Sequence, residues 1–287
     1  MIMSNKMTVS VVVHANVLAD IDQLLNTLQE TRGILRWVVV DNGSSDEIRD
    51  AVQSMGGTYV RSGKNLGFGG GHNLALKRLA GVDAPYHVIL NPDIVFGEDV
   101  LGKLADVMDS HPDVGLVMPK ILYPDGSHQY LCKLLPAPID LVLRRFLPGP
   151  WKRLARRRTA MFELRFLDSN TPAYVPSLSG CFMFARRSVL EEVGGFDERF
   201  FLYMEDVDLC RRMLGVSRLL YWPGVTVEHA HQMGSYRSRK LLLLHMRSAI
   251  QYFNKWGWIR DSTRKQINRD TLTSRVRLPH VSSQIPR

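Results

Sequence analysis

The chain has few cysteines and no long apolar run, and each shortage excludes a class of protein. Cys132, Cys181 and Cys210 are odd in number, far apart and without a C-x-x-C pair. That pattern excludes a disulfide-stapled framework, a zinc ribbon and a dithiol redox site, and it predicts a reducing, cytoplasmic compartment. No uncharged apolar stretch approaches the roughly 18 residues of a spanning helix. The polar residues 1–6 lead straight into a strand-like run rather than into the apolar region of a signal peptide. Acidic residues are scarce in two segments: residues 144–165 hold eight basic and one acidic side chain, and residues 237–287 hold twelve and two. These segments carry +7 and +10 of a net charge of +9, which leaves −8 on the remainder. They suit an anionic partner, either phospholipid headgroups or nucleic acid, and are otherwise solvated basic surface.

What is present is an ordinary globular composition, 287 residues with 45% hydrophobic and 23% charged, enough for one α/β domain with appendages. Residues 8–13 form a continuous apolar run, Ile21, Leu24, Leu25 and Leu28 follow at helical spacing, and residues 37–40 form a second apolar run. The alternation continues through strands expected at 58–60, 87–90 and 114–118 and helices at 48–55, 72–80 and 100–108. Val-rich, non-alternating strands between amphipathic helices predict a mainly parallel α/β sheet with helices on both faces. Between 119 and 176 the period is lost among prolines and basic clusters, so an irregular excursion is expected there. A strand at 178–185, two short strands around Trp222-Pro223-Gly224 and a C-terminal amphipathic helix within 236–260 complete the order. The domain is expected to span 1–235, and residues 261–287 read as a disordered basic tail.

Ligands of an open parallel sheet bind at the carboxyl ends of its strands. Asp41 and Asp46 stand there in Asp41-Asn42-Gly43-Ser44-Ser45-Asp46, and Asp93 in Asn91-Pro92-Asp93. Asp46 reads as a helix cap, whereas Asp41 comes one turn too early to cap that helix and reads as a ligand contact. Proline makes Asn91-Pro92-Asp93 a rigid turn whose carboxylate suits Mg2+ or Mn2+ shared with phosphate oxygens, or is an ordinary turn. Asn65-Leu66-Gly67-Phe68-Gly69-Gly70-Gly71-His72 reads as a loop whose amides approach a diphosphate, or as a hinge; it lacks the last glycine of a dinucleotide fingerprint. Glu205, Asp206 and Asp208 open a helix after five bulky residues. Apolar walls raise a carboxyl pKa and suit it to accept a proton from a hydroxyl. Glu228, His229 and His231 follow a strand end, where a histidine can complete a metal site.

Taken in order, these motifs, with Asn73, Ser179-Gly180-Cys181, Gly194-Gly195-Phe196-Asp197 and Gly234-Ser235, resemble glycosyltransferase family 2 enzymes of the GT-A fold over about residues 8–257, particularly the rhamnosyltransferase-like branch. The resemblance implies inverting sugar transfer from a nucleotide-diphosphate sugar with a divalent cation. It implies donor contacts by Asn16, Asp41, Asn42, Asn65, Gly67, Gly70, Asn73, Asn91 and Asp93, with Asp41 at the base. It further implies metal ligation by Asp93 and His229, Asp206 as the general base, and Glu205, Asp208 and Gly180 on the acceptor side. His14-Ala15-Asn16 departs from the family's Thr-Tyr-Asn-like triplet, and Asn91 replaces the first Asp of D-x-D. The Asn-Pro-Asp form points to dTDP-L-rhamnose; UDP-galactofuranose or UDP-N-acetylglucosamine are the alternative donors. The resemblance also implies a lipid-linked saccharide acceptor, so Trp151, Phe162 and Phe166 among the arginines are expected to seat on the anionic cytoplasmic leaflet. A nucleic-acid-binding module is the reading from another class; it leaves Asp41, Asp93 and Asp206 unexplained, and no nucleic-acid partner is expected.

Overall fold

In the computed structural model, which describes residues 5–141, 152–230 and 238–273, the Val-rich runs form the buried centre of a nine-stranded sheet. The first half alternates as the periodicity predicts: β1 (Met7–Val13), α1 (Asp22–Glu30), β2 (Ile34–Asp41), α2 (Asp46–Ser54), β3 (Thr58–Arg61), α3 (Gly67–Arg78), β4 (Tyr86–Leu90), β5 (Ile94–Val95), α4 (Asp99–Ser110) and β6 (Val114–Leu122). The second half holds α5 (Lys152–Phe162), β7 (Ala173–Tyr174), β8 (Phe182–Arg186), α6 (Arg187–Glu192), α7 (Glu205–Met213), β9 (Arg218–His229), α8 (Arg239–Trp256) and α9 (Ser262–Thr273).

The sheet order is β3-β2-β1-β4-β8-β6-β9-β5, with β7 beside β9. β3, β2, β1 and β4 are parallel. Beyond β4 the sheet is mixed, because β8 lies antiparallel to both β4 and β6, while β9 returns parallel to β6. This reversal brings the start of β8, the turn after β4 and the end of β9 to one edge. Each Val, Leu or Ile buried in the sheet contributes about 1.5–3 kcal/mol relative to exposure.

Several local expectations change. Ser45, not Asp46, caps α2, its side chain accepting from Ile48 N–H, while Asp46 pairs with Arg49 and Arg61. The glycines of 67–71 lie in α3 itself rather than in a loop before it. A Cβ on Gly71 would fall 2.7 Å from Val12 Cγ2, and one on Gly67 1.9 Å from Phe201 O, so these glycines let the helix sit directly on its neighbours. The two strands expected around Trp222-Pro223-Gly224 are one strand, β9, with a register shift where Trp222 gives way to Thr226 opposite Pro119 and Lys120. Of the tail expected to be disordered, residues 262–273 form α9 and residues 274–287 lie outside the described residues. Asp261 accepts the Arg264 N–H at the helix start, buried Arg264 donates to Pro136 O, and Asn268 exchanges two hydrogen bonds with the Leu135 backbone. The basic excursion is also partly ordered, in α5, and its Phe162 is buried in the core rather than offered to a membrane. Phe166 is exposed, whereas Trp151, His231 and Gly234-Ser235 lie outside the described residues.

A thread of polar side chains crosses the core between β1, β4 and α3. Thr8 Oγ1 is 2.8 Å from His87 Nδ1, and Ser10 Oγ lies 2.9 Å from His87 Nε2 and 2.7 Å from His72 Nδ1. Burial, then the Arg187 charge, lowers the His87 pKa to about 3; burial, then His87, holds His72 well below the ordinary imidazole range. Both rings are therefore neutral members of the core.

Candidate active site

A cleft of about 1280 Å³ opens along the edge where β4, β8 and β9 meet. Its first wall comes from the carboxyl ends of β1, β2 and β4 and from the start of α3: Asn16, Asn42, Asn65, Gly67, Asn91 and Asp93 all line it. Asn42 shapes this wall, donating to Gly67 O and accepting from Leu66 N–H. Gly67 N–H is given to Asn65 Oδ1 and Phe68 N–H to Phe201 O, so the first two amides of α3 are already taken.

Asp93 and His229 meet because β5 pairs antiparallel with β9, setting Ile94 opposite His229. His229 Nε2 is 3.3 Å from Asp93 Oδ1 and 3.2 Å from the Asn91 side-chain amide. Behind the ring, Nδ1 lies 3.1 Å from Gln129 Oε1, and the Gln129 amide donates to His229 O at 2.7 Å. Burial opposes charge on His229, but hydrogen bonds to Asp93 and Cys181 push its pKa up to about 10. With Nδ1–H held by Gln129, a cation that displaced the Nε2 proton would meet the Nε2 lone pair beside Asp93, the tautomer a metal ligand needs. Among the described residues no group of three or more His, Cys, Asp or Glu side chains is placed to hold a metal ion, so a cation here would take its remaining ligands from water and a bound diphosphate.

The opposite wall carries Gly180 and residues 201–207. Asp206 Oδ2 accepts the Gly180 N–H at 3.1 Å, which fixes the start of α7 against the start of β8. Immediately before it, Tyr203 and Met204 both adopt left-handed backbone, with φ of 69° and 67°. Such conformations cost on the order of 1–3 kcal/mol each for bulky residues. Met204 is held there by packing with Phe200, Tyr252 and Phe253, so strain is stored at the carboxylates. Glu205 is buried, its Oε2 has no hydrogen-bond partner, and burial followed by the Asp206 charge pushes its pKa up to about 8. The raised carboxyl expected between apolar walls is thus Glu205.

Four expected site residues lie behind the cleft walls. Asp41 accepts from Gly43 N–H, Ser45 N–H and Tyr59 Oη, so its carboxylate secures the β2–α2 turn. Asn73 bonds Phe196 and Glu198, tying α3 to the segment before α7. Asp208 is fully buried with Arg212, Lys255 and Trp256. Gly70 is buried within α3. Conversely, Gln129 and His245 reach the cleft without a signal in the sequence, and Tyr203, one of the bulky residues before the acidic cluster, reaches it with them. Gln129 belongs to the excursion, where no period marks it, and the Tyr203–His245 ring contact at 4.8 Å joins distant segments.

The sequence profile described as glycosyl transferase family 2 matches residues 9–194. The chain belongs to glycosyl transferase family 2. It is 34% identical over 242 residues to the N-acetylglucosaminyl-diphospho-decaprenol L-rhamnosyltransferase of Mycobacterium tuberculosis, covering 78% of this chain and 76% of that protein. It is 28% identical to rhamnosyltransferase WbbL of Escherichia coli, covering 81% and 87%. The solved structure of mannosyltransferase PcManGT from Pyrobaculum calidifontis, in complex with GDP-Man and Mn2+, superposes with a TM-score of 0.55 at 21% identity over 86% of this chain and 64% of that one. That of GalNAc-T7 with UDP, GalNAc and Mn2+ gives 0.60 at 12% identity over 79% and 43%. These family 2 relatives and structural neighbours make this chain a glycosyltransferase of the GT-A fold.

Proposed function

We propose that the protein transfers L-rhamnose, with inversion, from dTDP-L-rhamnose to a lipid-linked saccharide at the cytoplasmic face of the membrane. The observation that carries this reading is the opposition, across one cleft, of the Asp93–His229 pair and the Asp206 carboxylate held by Gly180. The names of the two curated relatives, both rhamnosyltransferases and one acting on a diphospho-decaprenol acceptor, support the choice of sugar and of acceptor class.

Asn16, Asn42 and Asn65 border the region where the nucleotide would lie. Asp93 and His229 would hold a divalent cation, Mg2+ or Mn2+, whose charge a departing diphosphate requires. From the other wall, Asp206 takes the proton of an acceptor hydroxyl as its oxygen bonds to the anomeric carbon. The bond from that carbon to the diphosphate breaks on the opposite face, so configuration inverts and the electron pair leaves with the nucleotide diphosphate. No described helix is long and apolar enough to cross a membrane, which is consistent with peripheral attachment.

Calorimetric titration with dTDP-rhamnose, UDP-galactose, UDP-N-acetylglucosamine and GDP-mannose, each with Mn2+ and with EDTA, tests the reading. Mn2+-dependent binding of dTDP-rhamnose is expected. Preference for another nucleotide sugar would replace the donor, and binding of none would overturn the proposal.

A further inference from the structure

Helix α8 has two working faces. Toward the protein, Ser248, Tyr252 and Phe253 are buried, and Leu241 and His245 line the cleft. Away from it, Leu243, Met246 and Ile250 recur at helical spacing and are 65%, 47% and 47% exposed. Arg239, Lys240 and Arg247 are exposed on the same side. At 100° per residue these six side chains share an arc of about 120°. The helix contains no acidic residue. Directly beyond it Trp258 and Ile259 are exposed as well, Ile259 by 79%, followed by exposed Arg260.

A helix that faced only water would place polar residues on this arc. Its pattern instead selects its occupant. A second copy of the chain in a two-fold pairing would press this arc against itself, opposing cations with cations and offering no anion. An anionic bilayer satisfies both halves: Leu243, Met246 and Ile250 enter the headgroup boundary, while the Arg and Lys side chains extend to the phosphates.

We propose that the outer arc of α8, with Trp258 and Ile259, docks on an anionic membrane and sets the cleft mouth at the level of the headgroups. A lipid-linked acceptor would then reach Asp206 without leaving the bilayer. That consequence rests on the function proposed above; the docking surface itself does not.

The test is co-sedimentation of the full chain with vesicles of phosphatidylcholine alone and with 30% phosphatidylglycerol, using wild type, L243S/M246S/I250S and R239E/R247E. Wild type is expected to bind the anionic vesicles, and each variant to lose at least about tenfold in partitioning. All three proteins should melt at the same temperature and glycosylate a short-chain, water-soluble acceptor equally, because the altered positions are exposed and outside the cleft. Equal wild-type binding to both vesicles or to neither, or wild-type binding by the triple variant, would overturn the proposal. A wild-type dimer that the triple variant converts to monomer, without vesicle binding, would overturn it in favour of a second copy. Loss of vesicle binding in the variants when no rhamnosyl transfer occurs in any of the proteins would sustain the docking face and reject the function reading.

Discussion

Asp206 Oδ2 accepts the backbone N–H of Gly180 at 3.1 Å, a bond that joins the helix bearing the carboxylate to the turn before β8 on the same wall of the cleft. The fit around it is close: a Cβ on Gly180 would lie 3.3 Å from Asp206 Cβ and 3.2 Å from the Phe68 ring. The carboxylate is thus positioned by backbone, which a substitution at Asp206 leaves in place. In D206N, kcat should fall by about 10²–10⁴-fold, the usual contribution of a general base, while donor affinity stays within about twofold. Steady-state kinetics with donor titration checks this; near-normal turnover would remove Asp206 from the base role.

Gln129 orients His229 from behind, and that role predicts a metal phenotype without contact to metal. Q129L should weaken Mn2+-dependent donor binding by roughly 10–100-fold, as loss of a group that orients a ligand does, and D93A should weaken it more. Donor titrations over a range of Mn2+ concentrations measure both. Unchanged Mn2+ dependence in D93A would contradict the assignment.

The neutral core histidines predict acid lability. Their folded pKa values lie below the unfolded value of about 6.5, so the unfolded chain binds protons that the native chain refuses. Stability is full above that value and falls as pH drops through the window down to about 3 for His87. Each histidine adds about 1.4 kcal/mol per pH unit within its window. Urea unfolding at intervals from pH 7 to pH 4.5 should show a shallower slope for H87Q than for wild type; equal slopes would contradict the account.

Glu205 predicts the opposite slope. Its pKa rises from 4.5 to about 8 on folding, so the native state keeps a proton that the unfolded state releases, and this term lowers stability as pH climbs through that window. E205Q removes the term. Its melting temperature relative to wild type should therefore increase from pH 5 to pH 8.5, and a constant difference would be inconsistent with a protonated Glu205.

Asp208 joins α7 to α8 through Lys255 and Trp256 and pairs with Arg212 within α7. Removing one member of a buried ionic network leaves its partners unpaired, so D208A should lose about 3–5 kcal/mol of stability. Denaturant unfolding reads this, and a loss below about 1 kcal/mol would indicate that the partners find new ligands.

The alternating α/β half was legible because its strands are short Val-rich runs and its helices keep a 3.6-residue period. The glycines of α3 misled because they are poor helix formers in isolation; close contact with Val12 and Phe201 requires them there. α9 was invisible because Asp261, Arg264 and Asn268 hold it by polar contacts, which carry no hydrophobic period. Asp93, Asp206 and His229 are singled out in the sequence by motif order. Their assembly depends on strand reversal at β8 and on the Ile94–His229 register, neither of which any local stretch encodes. Asp41 shows the converse, a motif residue whose carboxylate is occupied by its own turn.

The measurement that bears most directly on the central claim is transfer from dTDP-L-rhamnose to an N-acetylglucosaminyl-diphospho-lipid, with Mn2+, with EDTA and with D206N. The account predicts a rhamnosylated product of inverted anomeric configuration with Mn2+, little product with EDTA, and a rate reduced by about 10²-fold or more in D206N. No product from dTDP-rhamnose while a UDP- or GDP-sugar is consumed, or a D206N rate equal to wild type, would contradict it.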